Sequence, residues 1–290
     1  MPELEFVAPK TAEEAVRALA AGAGKARPLA GGTDLLVQMK SGRAKPSAIV
    51  DLKRIPGMIG IREAGGAFVI GAATPGVLLG EHAALVAAWP GVVEGANLIG
   101  STQIQGRATL AGNLCNASPA ADSVPAMIAA GATCVIVGAK GRREIPVEQV
   151  ATGPGQTSLA ADEFVLEIKL PARPPRSADA YLRSIPRTEM DIAVVGAGVN
   201  LTLDAGGKIT AARVALGAVG PTASLVPEAG AAIVGTTLDE GALDALDAAA
   251  RAAARPIADK RGTVDYRIKI AGVLARRAAR IAYERAGARS

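Results

Sequence analysis

Residues 28–40 read PLAGGTDLLVQMK. Ala26–Ala30 has the character of a short strand, and Asp34–Lys40 that of a helix stopped by Ser41–Gly42. Gly31 and Gly32 lie at the junction. A strand, a tight glycine turn and a helix start together make an anion site. The first N–H groups of a helix lack partners, and its peptide dipoles leave partial positive charge there. A phosphate suits both features. The glycines would let the backbone approach it, and the Thr33 hydroxyl could donate as well. On this stretch alone, an ordinary turn capped by Thr33 or Asp34 explains the residues better.

Outward from the turn the chain reads β–α–β–α. Glu3–Ala8 is a strand; Thr11 caps a helix with Glu14 in the capping-box position, and Ala15, Leu19 and Ala20 form its inner face. Ala48–Asp51 is a further strand. After Pro56 the pattern predicts strands at Gly66–Gly71, Thr133–Gly138, Glu144–Val147 and Phe164–Leu170, with helices over Leu78–Ala88 and Ser123–Ala130. The Pro-rich run 170–175, LPARPP, breaks regular structure and marks a domain boundary. Beyond it, Asp179–Ser184, Ala193–Leu203 and Ile209–Gly217 alternate as an antiparallel sheet, with a turn at 204–207. Helices Leu238–Arg255 and Val264–Ala286 close the chain. In the last one Ile268, Ala271, Leu274, Ala275, Ala278 and Ile281 form an inner stripe, and Arg267, Arg276, Arg277, Arg280 and Arg285 fall on other, solvated faces.

Composition removes several function classes. The 290 residues are 50% hydrophobic but only 2% aromatic, so the core must rest on Ala, Val, Leu and Ile. A net charge of +5 is mild, no Lys/Arg block stands alone, and base-stacking aromatics are scarce, which argues against nucleic acid. Two cysteines, Cys115 and Cys134, and one histidine, His82, cannot build a zinc or iron–sulfur site within this chain. The cysteine usage and an N-terminus unlike a secretory signal predict a cytoplasmic protein. The longest uncharged stretch, Ser123–Ala139, contains Pro, Ser, Thr and Gly and reads as a helix plus a strand, not a membrane span. His82, in GEHAALVAA, reads as a surface residue. Glu189 and Asp191 read as ion-pair partners of Arg187 and Arg183, not as a carboxylate pair for catalysis.

A second glycine-bearing stretch changes the weight of the first. Residues 99–122 read IGSTQIQGRATLAGNLCNASPAAD, poor in core formers and rich in short polar side chains such as Ser101, Thr102, Gln103, Asn113 and Asn116. Loops this long inside a compact domain are usually functional. Neither stretch contains G-x-G-x-x-G or G-x-x-x-x-G-K-[ST].

LAGGTDLL together with ATLAGNLCNASPAAD resembles the FAD-binding medium subunit of the molybdenum hydroxylases, the xanthine dehydrogenase and carbon monoxide dehydrogenase family. The similarity runs nearly end to end, through YLRSIPRTEMDIAVVGAGV and VDYRIKIAGVLARRA. It implies an α+β chain: a vanillyl-alcohol-oxidase-type FAD domain over 1–175, with subdomains of about 1–56 and 57–175, then a smaller α+β domain over 176–290. The resemblance assigns Pro28, Leu29, Ala30, Gly31, Gly32, Thr33, Asp34 and Leu35 to the first FAD loop, and Thr109, Leu110, Ala111, Gly112 and Asn113 to the second. It puts Asp122 on the ribityl or ribose hydroxyls and Ile99 and Gly100 near the isoalloxazine. Leu166 and Arg183 complete the pocket at the flavin end.

Two residues depart from the family pattern. Ala111 stands where a glycine is usual, which is tolerable only at negative φ, and Arg183 stands where lysine is common. No histidine or cysteine occupies an attachment position, and Cys115 reads as packing, so FAD is expected to be non-covalent. The resemblance further implies a large partner holding the molybdenum cofactor and a small partner holding [2Fe–2S] clusters, in a dimer of heterotrimers, with this chain relaying electrons to a terminal acceptor. A self-contained flavin oxidase or dehydrogenase of the same fold is the alternative; a nucleotide-binding module without redox function is a third.

Overall fold

The computed structural model describes residues 4–289; Glu3, the expected first residue of the opening strand, lies outside them. The chain begins with β1 (Glu5–Val7), α1 (Ala12–Ala21), β2 (Ala26–Leu29), α2 (Leu35–Lys40) and β3 (Ala48–Asp51). These strands make a parallel sheet in the order β1-β3-β2. The Thr11 hydroxyl accepts from the Glu14 N–H at 3.1 Å, while the Glu14 carboxylate reaches the Lys10 N–H. The box thus closes one residue further out than the usual pattern. Ala15, Val16 and Leu19 turn inward from α1, and β3, central in its sheet, is the most buried of the three strands.

The next elements are β4 (Ile61–Ala64), β5 (Ala67–Gly71), α3 (Gly76–Glu81), α4 (Ala83–Ala88), α5 (Pro90–Asn97), α6 (Thr102–Gln105), α7 (Leu110–Cys115) and α8 (Ser123–Ala130). They are followed by β6 (Thr133–Gly138), β7 (Gly141–Pro146), β8 (Ala151–Gly153), β9 (Gln156–Thr157) and β10 (Phe164–Leu170). Five of these strands form an antiparallel sheet ordered β4-β5-β10-β6-β7, and β8-β9 is a small separate hairpin. The helix expected over Leu78–Ala88 breaks at His82. Its ring nitrogen accepts from the Leu85 N–H and caps α4, and its ring meets Phe68 edge-on. His82 is therefore a half-buried capping residue, not a free surface side chain. The polar stretch 99–122 is a chain of short helical turns in place of one long loop.

The last third holds β11 (Ser177–Ser184), β12 (Val195–Leu203), β13 (Ile209–Gly217), β14 (Ser224–Leu225), α9 (Pro227–Ala231), α10 (Glu240–Ala253) and α11 (Val264–Gly287). The strands form one antiparallel sheet in chain order. All eight residues of α8 are buried, and this sheet covers part of that helix. Gly198 and Gly217 permit the approach, since a Cβ at either position would strike Pro125. One buried cluster runs from Ala12 to Leu170 with Ala215 and Ala223 leaning into it; a second runs from Ala178 to Ala286. Phe68, Trp89, Phe164 and Tyr181 are buried, but aliphatic side chains fill most of both clusters, each Val, Leu or Ile contributing about 1.5–3 kcal/mol on burial.

Arg267 overturns one expectation for α11. It is 4% exposed, donates to the carbonyls of Val194 and Ala218, and pairs with Asp259. No helix among the described residues is long and apolar enough to cross a membrane.

Candidate functional site

The quoted turn sits where β2 delivers the chain to α2. Gly32 has φ +81°, a left-handed conformation that favours glycine. Gly31 has another role: a Cβ on it would overlap the carbonyl oxygen of Arg107. The glycine pair thus admits the backbone of the second stretch as well as any ligand. The N–H groups of Gly31, Gly32, Thr33, Asp34 and Leu35 find no acceptor among the described residues. Asp34 stands at the helix cap position without a side-chain capping bond.

The second turn opens α7. The Thr109 hydroxyl accepts from the Gly112 N–H at 2.8 Å, so it is engaged as a helix cap. The N–H groups of Thr109, Leu110 and Ala111 find no acceptor among the described residues. Ala111 lies within the helix and is absent from the positive-φ residues, so its methyl group is accommodated without backbone strain. The Asn113 side-chain oxygen accepts from both the N–H and the hydroxyl of Ser123, tying α7 to α8.

Between the two turns lies a cleft of about 450 Å³. Pro28 through Leu35, Ile99, Thr109, Ala111, Gly112 and Asn113 line it. A third wall was not anticipated from sequence: Gly155, Thr157, Leu159–Ala161 and Glu163–Val165, from the β8–β9 hairpin and the start of β10. Gly155 beside short polar residues was its faint signal. Arg27, Gln38 and Asn116 also reach the cleft. The Gln38 amide donates to the Asn116 side-chain oxygen at 2.9 Å, a clasp between residues far apart in the chain. The Lys53 ammonium bonds the Ala30 carbonyl at 3.0 Å and steadies the first turn from behind.

Five of the expected residues do not line the cleft. Leu110 is 2% exposed and packs in the core. Gly100 has φ +62°, and a Cβ there would meet Ile104, so it shapes the bend that carries Ile99. Leu166 is the unpaired residue of a β-bulge between Val165 and Glu167, and its carbonyl accepts from the N–H of Ala72. Asp122 and Arg183 pair with each other at 3.0 Å, and the Arg183 guanidinium also donates to the Leu98 carbonyl. Burial pushes the Asp122 carboxyl up to about 6, outweighing the opposing pull of the Arg183 charge. Arg187 and Arg261, not Arg183, are the partners of Asp191.

Residues 2–173 match the family model described as the FAD binding domain in molybdopterin dehydrogenase, and residues 180–282 match the CO dehydrogenase flavoprotein C-terminal domain. This chain belongs to the FAD-binding medium subunits of the molybdenum hydroxylases. The carbon monoxide dehydrogenase medium chain of Afipia carboxidovorans is 37% identical over 99% of this chain and 97% of its own length. Among solved structures, carbon monoxide dehydrogenase from Hydrogenophaga pseudoflava superposes with a TM-score of 0.93 at 36% identity, covering 98% of each chain. Quinoline 2-oxidoreductase from Pseudomonas putida 86 superposes with a TM-score of 0.89 at 26% identity, covering 98% of each chain.

As a medium subunit of this family the chain carries FAD, and the cleft fits such a ligand. Two rows of unpartnered backbone N–H groups suit a diphosphate, and small residues leave its approach open. Glu163 on the third wall is engaged by Arg143, whose hydrogen bond holds that carboxyl below its ordinary range. Cys115 also lines the cleft, but burial pushes its thiol up to about 12, leaving no thiolate for attachment.

Proposed function

We propose that this chain is the FAD-carrying electron-transfer subunit of a heteromeric molybdenum hydroxylase, an oxidoreductase component without a substrate-transforming site of its own. It takes electrons from [2Fe–2S] clusters on a small partner and passes them to a terminal acceptor, while a large partner carries the molybdenum cofactor. One observation carries the reading: Gly31–Leu35 on one turn and Thr109 and Ala111 on the other, remote in sequence, line one cleft with N–H groups that have no acceptor among the described residues.

The residues divide the binding task. Gly31–Leu35 and Thr109–Ala111 hold the pyrophosphate through the backbone, which keeps the contacts independent of side-chain rotamers. Asn113 fixes the second turn to α8, and Gln38 with Asn116 closes the cleft over the bound dinucleotide. Ile99 offers an apolar wall to the ring end, and Gly100 and Leu166 shape the backbone beside it. Asp122 and Arg183 support that end from behind. FAD, once bound without a covalent link, supplies the exchange between single electrons and electron pairs.

Residues 1–175 form the FAD-holding unit, with parts of about 1–56 and 57–175, and 176–290 form the second unit; the two buried clusters support this division. Relatives named for carbon monoxide and for quinoline share the fold, which supports placing substrate choice on another subunit. Assembly as a cytoplasmic dimer of heterotrimers completes the reading.

The visible spectrum of the purified chain tests it. Flavin bands after FAD addition, without bleaching by small organic substrates, are expected of the lone chain. Co-purification from native cells should bring a cysteine-rich small chain and a large molybdenum-containing one. A lone chain that oxidises a substrate unaided would replace this reading with a self-contained oxidase.

A further inference from the structure

The walls of the cleft differ in how firmly they are held. At the first turn Gly31 lies backbone to backbone against Arg107, and the Lys53 ammonium bonds the Ala30 carbonyl. The second turn is tied to α8 through Asn113 and Ser123. Phe164 and Val165 belong to β10, which lies between β5 and β6 in the five-stranded sheet.

The β8–β9 hairpin has no such anchorage. Its two strands pair with each other and join no larger sheet. No residue from 151 to 158 belongs to either buried apolar cluster. Thr152, Pro154, Gly155, Gln156 and Ser158 are exposed. At the base of the hairpin the Ser158 hydroxyl donates to the Gln149 carbonyl at 2.8 Å, and Arg143 reaches the Ser158 carbonyl. At its tip the Gly155 N–H donates at 3.0 Å to the carbonyl of Ala117. Among the described residues that is its one backbone tie to the second glycine-bearing stretch. Ala117 follows the C-cap of α7 and is left-handed, with φ +50°, where glycine is usual. Few buried apolar contacts and exposed hydrogen bonds mark the segments that open at the lowest cost. Gly155 and Thr157 nonetheless line the cleft.

A dinucleotide seated against the N–H groups of both turns cannot enter by parting them, because Gly31 and Arg107 meet with no side chain between. We propose that the β8–β9 hairpin is the gate through which FAD enters and leaves, and that the hydrogen bond from Gly155 to Ala117 is its latch. The inference rests on the reading that FAD fills this cleft. Opening breaks one backbone hydrogen bond at the tip and leaves the larger sheets whole. Closing sets the third wall against the ligand without disturbing the turns that hold its diphosphate.

The test follows FAD entry and release by stopped-flow flavin fluorescence in the full chain. Gly155 has φ +69°, and a Cβ there would meet no atom within 4 Å, so Gly155→Ala strains the closed hairpin without adding a clash. The strain acts alike on the empty and loaded closed forms and is relieved on opening. Entry and release should therefore both quicken by about 5- to 30-fold, the range set by one left-handed residue. The dissociation constant should move less than ~2-fold. Ser158→Ala, which frees the base of the hairpin, should also quicken both rates, and it stands in if Gly155→Ala cannot be recovered folded. In wild type, amide hydrogen exchange at 151–158 should be fast without FAD and slow with it. Release that quickens alone would make the hairpin a mere contact for the ligand; unchanged rates, or equal exchange with and without FAD, would make it a fixed wall. Any of these would overturn the gate alone. A wild-type chain that takes up no FAD would overturn the cleft reading and this one with it.

Discussion

The Cα of Gly31 lies against the backbone carbonyl of Arg107, so close that a Cβ there would overlap the oxygen. Backbone meets backbone at this point, and neither side can rotate away. Gly31→Ala should therefore part the two turns, costing about 1–3 kcal/mol as an overpacked contact and lowering FAD content. Gly32 differs: a Cβ there meets only the ends of the Leu29 and Leu36 side chains, although its φ is positive. Urea unfolding and flavin-to-protein ratios should rank Gly31→Ala as more damaging than Gly32→Asn, since asparagine tolerates the left-handed region.

The clasp between Gln38 and Asn116 should act on release of the cofactor more than on folding. Both residues line the cleft and are joined by a hydrogen bond of 2.9 Å. Gln38→Ala and Asn116→Ala should each speed FAD dissociation. The double variant should be little worse than either, giving a coupling of about 0.5–1.5 kcal/mol in a double-mutant cycle. Simple additivity in stopped-flow release would show that the pair does not act as a clasp.

Asp122 makes a pH-dependent contribution whose sign is opposite to that of a surface carboxylate. Its native value of about 6 stands above the unfolded 3.8, so the folded chain binds the extra proton between those values. The stabilisation is complete below the unfolded value and is lost as pH rises through about 6. Against Asp122→Asn, wild type should lose up to about 3 kcal/mol of unfolding free energy over that window. Denaturant titrations of both proteins across pH 4–7 should show the gap; a gap that is flat with pH would refute it.

Burial holds the thiols of both Cys115 and Cys134 near 12. Neither should react with iodoacetamide in the native chain at neutral pH, with or without FAD, and both should react after denaturation. Acid precipitation should release all flavin into the supernatant. Flavin retained on the precipitated chain would show a covalent link.

Local signals in the chain were legible wherever neighbours within a turn of helix or a pair of strand residues set the conformation. The Thr11–Glu14 cap, the strand at Phe164–Leu170 and the long terminal helix all declare themselves by spacing alone. So does the Gly31–Gly32 turn, since positive φ at Gly32 favours glycine. The sequence does not show the place of His82, because alanine-rich periodicity continues across a break that only Phe68 packing and the Leu85 cap reveal. Nor does it show the burial of Arg267, because an arginine on a helix face gives no hint of the carbonyls of Val194 and Ala218 that accept from it.

From the sequence by itself came the two glycine turns and the family. Only the tertiary structure decided that Gly31 makes room for Arg107, that residues 155–165 close the cleft, and that Asp122 and Arg183 face each other instead of lining it. The physical reason is range: φ preference and periodicity are properties of a few adjacent residues. A cleft wall depends on strand register, on a bulge at Leu166, and on which distant backbone groups remain without partners after packing.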